Sequence, residues 1–248
     1  MPPASAGSRS EPPAAADERG GSGGGATGAE TLRVIAIDGP AGSGKSTVAR
    51  ALARRLGLEY LDTGAMYRAV TFAALRAGID PDDADRVAAL ARSLDLDVST
   101  DGVIVDGVDA TVEIRGPAVN RAVSVVAANP EVRRELVSRQ REWARRRGGG
   151  VLEGRDIGTV VFPDAELKVY LTADIEERAR RRAREVRELD YEQVAAELAR
   201  RDTLDATRDA DPLATAADAV VVDTTGKSID EVVDEVVALL DAAAKGAK

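Results

Sequence analysis

The run Leu32-Arg33-Val34-Ile35-Ala36-Ile37 passes directly into Asp38-Gly39-Pro40-Ala41-Gly42-Ser43-Gly44-Lys45-Ser46-Thr47, after which Val48, Leu52 and Leu56 recur at helical spacing up to Gly57. A short apolar run of this kind reads as a buried parallel strand, and the spacing after it as a helix ended by glycine. Gly39 to Ser46 satisfies G-x-x-x-x-G-K-[ST] at every fixed position, between a strand and a helix, which is the context in which the pattern cradles phosphate. Its glycines let backbone N–H groups converge on phosphate oxygens. The helix that follows directs its positive end at them, Lys45 adds a cation, and Ser46 offers a hydroxyl to Mg²⁺. Gly226-Lys227-Ser228 repeats the last three fixed positions, but Val221 stands where the first glycine would be, so this copy reads as a turn with Ser228 as N-cap.

Outward from that loop, residues 58–61, 150–153, 167–172 and 219–223 are further strand candidates separated by helical patterns. Strands alternating with helices predict an α/β fold of three layers, a central five-stranded parallel sheet covered on both faces. Asp174 with Glu177 and Ser228 with Glu231 carry the spacing of a capping box. Asn129-Pro130 predicts a break between two helices. Residues 95–110 depart from the alternation: Asp101-Gly102 and Asp106-Gly107 separate short runs rich in Val and Ile, which predicts a small antiparallel meander inserted into the α/β core. Residues 1–30 hold no large apolar residue after Met1 and end in a Gly/Ser-rich run, a composition that predicts a disordered extension ahead of a folded unit of residues 31–248.

Composition narrows the chemistry. The 248 residues include no His and no Cys, which excludes a Ser-His-Asp triad, a thiol nucleophile, a disulfide framework and a zinc site of the usual ligands. A net charge of −9 and only one Trp, four Tyr and two Phe argue against a general nucleic-acid surface. No apolar run approaches the roughly 18 residues of a membrane span, and the N-terminus lacks the apolar core of a secretory signal, so no membrane partner and a cytoplasmic location are expected.

The loop alone implies a bound nucleoside triphosphate and leaves switch, motor and kinase open. A guanine-reading N-K-x-D is missing, and the single D-x-x-G, Asp223 to Gly226, falls far down the chain. Arginines give positive evidence. Asp62-Thr63-Gly64-Ala65-Met66-Tyr67-Arg68 follows the second strand and Glu153-Gly154-Arg155-Asp156 the third, and residues just beyond the carboxyl ends of parallel strands face the ligand crevice. Arg68 and Arg155 are thereby candidates to hold a second anionic group opposite the loop.

These stretches, with Ile157-Gly158-Thr159-Val160-Val161-Phe162-Pro163-Asp164-Ala165 and residues 176–208, make the sequence similar to the bacterial cytidylate kinases, P-loop nucleoside-monophosphate kinases with an enlarged substrate-binding insert. The resemblance spans residues 32–240. It implies a P-loop NTPase fold with a nucleoside-monophosphate-binding insert at about 62–148 and a helical lid at about 174–208, and phosphoryl transfer from ATP to CMP or dCMP. It implies that Arg68 and Arg155 hold the acceptor phosphate near Thr63, that Ser124, Arg133, Asp156 and Arg208 read the cytosine edge, and that Arg201 and Asp205 contact the sugar. Arg178 and Arg182, four apart on the lid helix, would close over the transferring group beside Lys45, with Mg²⁺ as the accompanying ion and Ser46 as its ligand. The chain would act as a monomer on small nucleotides. Glu153 stands where relatives often carry Asp, which leaves its part in the Mg²⁺ site open, and Leu204 occupies a position that is basic in some relatives.

Other readings of the same residues stay open at this level. The arginines of residues 178–187 also fit a solvated, salt-bridged helix face. The acceptor could be UMP, AMP or a non-nucleotide such as shikimate, or the protein could bind nucleotide without catalysis as a regulatory or scaffold component acting through its N-terminal segment.

Overall fold

The computed structural model describes residues 32–185 and 190–246. The expected disordered extension, residues 1–30, and residues 186–189 of the lid stretch lie outside the described residues. In chain order the elements are β1 (Arg33–Asp38), α1 (Lys45–Leu56), β2 (Tyr60–Asp62), α2 (Thr63–Arg76), α3 (Ala84–Ser93), β3 (Leu96–Val98), β4 (Val103–Val105), β5 (Val108–Asp109), α4 (Pro117–Ala128), α5 (Pro130–Arg147), β6 (Gly149–Glu153), β7 (Leu167–Thr172), α6 (Ile175–Glu185), α7 (Tyr191–Thr207), β8 (Val220–Asp223) and α8 (Ile229–Gly246). A π-helical turn, Ile157–Val161, separates β6 from β7.

The expected sheet is present. It has five strands in the order β2-β6-β1-β7-β8, and every pair is parallel. Alternation along β1 divides its side chains between two cores: Val34 and Ala36 face α2, α4 and α5, while Ile35 and Ile37 face α1 and α8. Each of these four is essentially inaccessible, so β1 is apolar throughout because both faces of a parallel sheet are covered. Leu52 of α1 and Val232 and Val236 of α8 close the second core.

Between β2 and β6 the chain inserts α2, α3, the three-stranded antiparallel sheet β3-β4-β5, α4 and α5. The meander is the one expected from the Asp-Gly pairs. Val105 pairs with Val108 across Asp106-Gly107, and both turn residues have positive φ, 49° and 74°, the conformation a two-residue hairpin of matched twist requires.

Helix ends follow local chemistry. The capping box at α8 is formed in both directions: the Glu231 N–H donates to Ser228 Oγ at 3.3 Å, and the Ser228 N–H donates to Glu231 Oε2 at 2.8 Å. At α6 the expected box gives way to ion pairs, with Glu177 accepting from Arg180 and Arg181 at 2.7 and 3.0 Å. Between α4 and α5, the Asn129 side chain caps α5 by accepting from the N–H groups of Glu131 and Val132, and its amide donates to Ala84 O at 2.8 Å. One residue thus ends one helix, starts the next and ties both to α3. Asn129→Ala should destabilise the protein by about 1–3 kcal/mol, from a lost cap and a stranded carbonyl. The shift of the urea midpoint measures it.

Candidate active site

Parallel register brings the strand ends out together. Ile37 of β1 and Asp62 of β2 both pair with Glu153 of β6, and Asp38 pairs with Tyr170 of β7. The loop Gly39–Gly44 leaves β1 at this edge and enters α1 at Lys45. Gly39 has φ 145°, and a Cβ there would lie 2.1 Å from Leu171 O, so the loop passes β7 too closely for any side chain. Lys45 is buried, and its ammonium donates to Pro40 O at 2.7 Å. Burial pushes its pKa down to about 7, and nearby Arg155 pushes the same way against Glu153 and Asp38. Thr224, just past β8, donates to Ser43 O at 3.1 Å and supports the loop from below. Thr47 is exposed on the first turn of α1.

Glu153 ends β6 as a buried node. Its carboxylate accepts from Ser46 Oγ at 3.0 Å and from the Tyr60 hydroxyl, and its carbonyl accepts from Thr63 Oγ1 at 2.6 Å. Burial raises its pKa, neighbouring Asp62 adds to the rise, and Lys45 opposes it. A hydroxyl beside a carboxylate is the hard-oxygen donor set that suits Mg²⁺. Among the described residues there is no group of three or more acidic side chains able to cage an ion by themselves.

The nine residues expected at the acceptor site, Thr63, Arg68, Ser124, Arg133, Arg155, Asp156, Arg201, Asp205 and Arg208, all line one cleft. They come from α2, α4, α5, the β6 edge and α7. Arg133 is 2% exposed and pairs with Asp156, also buried, while its Nε donates to Asp211 at 2.6 Å. Arg208 Nε donates to Asp211 O at 2.8 Å, and its guanidinium lies 3.9 Å from Asp156. Arg155 pairs with Asp205 at 2.8 Å. Arg68 donates to Asn120 Oδ1 and Ile114 O at 2.6 and 3.0 Å.

Positive charge exceeds its compensation in this cleft. Burial pushes the Arg68 pKa down to about 9, with Arg201, Arg115 and Arg182 repelling and Asp62 opposing. Arg201 is lowered by burial and then by Arg155, and its Nε is buried with no hydrogen-bond partner among the described residues. An arginine nitrogen buried without a partner, on a half-buried side chain, is a donor left over for an anion or a polar ligand group.

The lid arginines separate into two kinds. Arg180 and Arg181 belong to the ion-paired face with Glu177, and Arg181 also donates to Thr224 O at 2.7 Å. Arg178 instead turns inward, donating to Ala173 O and Ala41 O at 3.1 and 3.0 Å and pairing with Asp202. Asp202 in turn accepts from the Ala41 N–H at 3.3 Å. Arg182 lies close enough to Arg68 and Arg201 to depress both. Ala41 packs with Ala179, Val194 and Leu198, so α6 and α7 rest on the loop itself.

Several contributors escaped the sequence. Tyr67, next to Arg68, lies 5.5 Å from the Arg133 guanidinium through its ring centroid. Asp202 and Asp211 neutralise arginines from α7 and the segment after it. Asp202 could have been suspected from its place between Arg201 and Asp205. Asp211, in a loop with φ 48°, carries no sequence signal.

A glycine-rich P-loop at the carboxyl edge of a parallel sheet, beside an arginine-lined cleft, defines a protein of the P-loop nucleotide-binding class. The family model for cytidylate kinase matches residues 35–242. The cytidylate kinase of Nocardia farcinica is 53% identical over 214 residues, covering 83% of this chain and 92% of that protein. The Mycobacterium avium cytidylate kinase is 55% identical over 210 residues, covering 81% and 92%, and that of Desulfitobacterium hafniense 49% over 214 residues, covering 84% and 92%. The chain belongs to the cytidylate kinase family.

The buried Arg133–Asp156 pair gives a direct physical check. Arg133→Leu should destabilise the fold by about 2–4 kcal/mol because buried Asp156 loses its close partner and keeps only Arg208 at 3.9 Å, while adding Asp156→Leu should recover part of that loss. Urea denaturation of the two variants measures both effects.

Proposed function

We propose that the protein transfers the γ-phosphoryl group of ATP to the phosphate of CMP or dCMP, giving ADP and CDP or dCDP. The observation that carries this reading is the convergence of nine residues, scattered from Thr63 to Arg208, on one cleft beside the Lys45 loop.

In this reading the loop Gly39–Thr47 holds the donor phosphates, and Arg68 and Arg155 hold the acceptor phosphate near Thr63. The acceptor oxygen arrives ionised, so no general base is needed, and catalysis consists of positioning and charge stabilisation. Lys45 supplies the fixed cation, and Arg178 and Arg182 supply positive charge from the lid. Ser46 would hold Mg²⁺, with Glu153 behind it through the 3.0 Å contact and the nucleotide phosphates completing the shell. Bound there, the ion would supply positive charge to the donor phosphates.

Base selection follows from hydrogen-bond polarity. The cytosine edge presents an amino donor beside acceptors, and Asp156 with Ser124 can accept while Arg133 and Arg208 donate. Uracil would present a carbonyl to Asp156 in place of the amino group, which leaves a buried carboxylate facing an acceptor. Arg201 and Asp205 are assigned to the sugar. We assign a monomer. We assign a cytoplasmic location; separately, no helix among the described residues is long and apolar enough to cross a membrane.

A coupled assay with ATP, Mg²⁺ and CMP, dCMP, UMP or AMP tests the reaction: ADP should form fastest with CMP or dCMP, and no ADP with any acceptor would reject it. Lys45→Ala should lower kcat by about 10²-fold or more with the fold intact. Arg208→Ala should raise KM for CMP far more than KM for ATP. Equal losses for the two substrates would remove Arg208 from the acceptor site.

A further inference from the structure

Asp38 is the last residue of β1 and the covalent neighbour of Gly39, so its sequence position suggests a part in the triphosphate site. Its side chain points elsewhere. The carboxylate is buried, and its two oxygens accept one backbone N–H each, from Ile157 at 2.9 Å and Gly158 at 2.7 Å. These are the first two amides of the π-helical turn. One residue earlier on β1, Ile37 O accepts from the Gly154 N–H at 3.0 Å. Consecutive residues of β1 therefore hold the chain on both sides of Arg155-Asp156, the pair that enters the cleft.

The far end of the turn is held as well. Arg141 of α5 donates to Val161 O at 2.9 Å through Nε and to Val160 O at 2.8 Å through Nη2. An anion bonds the amide end and a cation the carbonyl end, each through two hydrogen bonds, an arrangement that complements the dipole of the turn. Gly158 fits this packing, because a Cβ there would lie 3.1 Å from Lys168 Cδ and 3.4 Å from Asp38 Oδ2. Burial raises the Asp38 pKa to about 6, while the two amides that donate to its oxygens, and Lys45, favour the charged form.

We infer that Asp38, together with Arg141, is a positioning residue for the acceptor: the two side chains clamp the turn Ile157–Val161 and thereby set where Arg155 and Asp156 stand in the cleft. Neither residue touches substrate in this assignment. The inference rests on the CMP kinase reading above, because it specifies which substrate feels the clamp.

Asp38→Asn replaces one acceptor oxygen by an NH₂ that faces a backbone N–H, and Arg141→Lys cannot serve two carbonyls in a fixed fork. Steady-state kcat and KM for CMP and for ATP, with equilibrium binding of each nucleotide, are measured on the wild type and both variants, and thermal melts report folding. Asp38→Asn should raise KM and Kd for CMP about tenfold, the size expected for one lost buried hydrogen bond, and clearly more than those for ATP, which feel only the loss of its attraction for Lys45. Arg141→Lys should give the same acceptor-selective pattern with a smaller rise. A residue with a merely structural role would lower the melting temperature and leave both KM values unchanged, which would overturn the proposal, as would equal losses for CMP and ATP. If Asp38→Asn yields no folded protein, Arg141→Lys decides alone: an acceptor-selective loss supports the clamp, and any other pattern overturns it. Wild-type turnover separates the two levels. Without it the CMP kinase reading falls and the clamp's substrate assignment with it, whereas wild-type turnover with unselective variants removes the clamp alone.

Discussion

The rest of the site depends on the parallel pairing of β1 between β6 and β7. Because parallel strands share a direction, their carboxyl ends emerge along one edge, and the register sets Asp38, Asp62 and Glu153 within a residue of one another along that edge. The phosphate loop, the Glu153 node and the Arg155-Asp156 segment are consecutive consequences of that alignment. Hydrophobic burial on both faces enforces it, since slipping β1 by one residue would exchange the side chains of its two cores.

Charge is distributed against the average of the chain. A molecule with net charge −9 concentrates Lys45, Arg68, Arg155, Arg182 and Arg201 closely enough for several to depress one another. Acidic residues temper this unevenly. Asp156, Asp205, Asp202 and Asp211 pair with Arg133, Arg155 and Arg178, whereas Arg201 keeps an unpartnered buried nitrogen. Lack of His and Cys accords with a reaction whose nucleophile needs no deprotonation.

The packing of α6 and α7 on Ala41 links donor and lid. Arg178 and Asp202 both bond the backbone of Ala41, one at its carbonyl and one at its N–H. Helices α6 and α7 thus bond the loop through its main-chain groups, and the arginines of α6 cannot all be read as a solvated face.

Local patterns determined much of this protein. Apolar runs, the glycine-rich loop and Asp-Gly turns reported the strands, the cradle and the meander, because each depends on neighbours within a few residues. Of the nine cleft residues, Arg68 and Arg155 were legible from their place just beyond strand ends, and the other seven only through resemblance to a family, since their spacing in sequence bears no relation to their spacing in the cleft. Tertiary structure alone decided the partners of buried charge. Asp211 reaches Arg133 across 78 positions and Asp38 reaches Ile157 across 119, and no periodicity encodes such pairings. The segment Ile157-Gly158-Thr159-Val160-Val161 is the clearest instance. Its β-branched residues favour a strand, yet it forms a π-helical turn, because Asp38 and Arg141 satisfy its end groups from distant parts of the chain and the desolvation cost of leaving them unpaired exceeds the local preference.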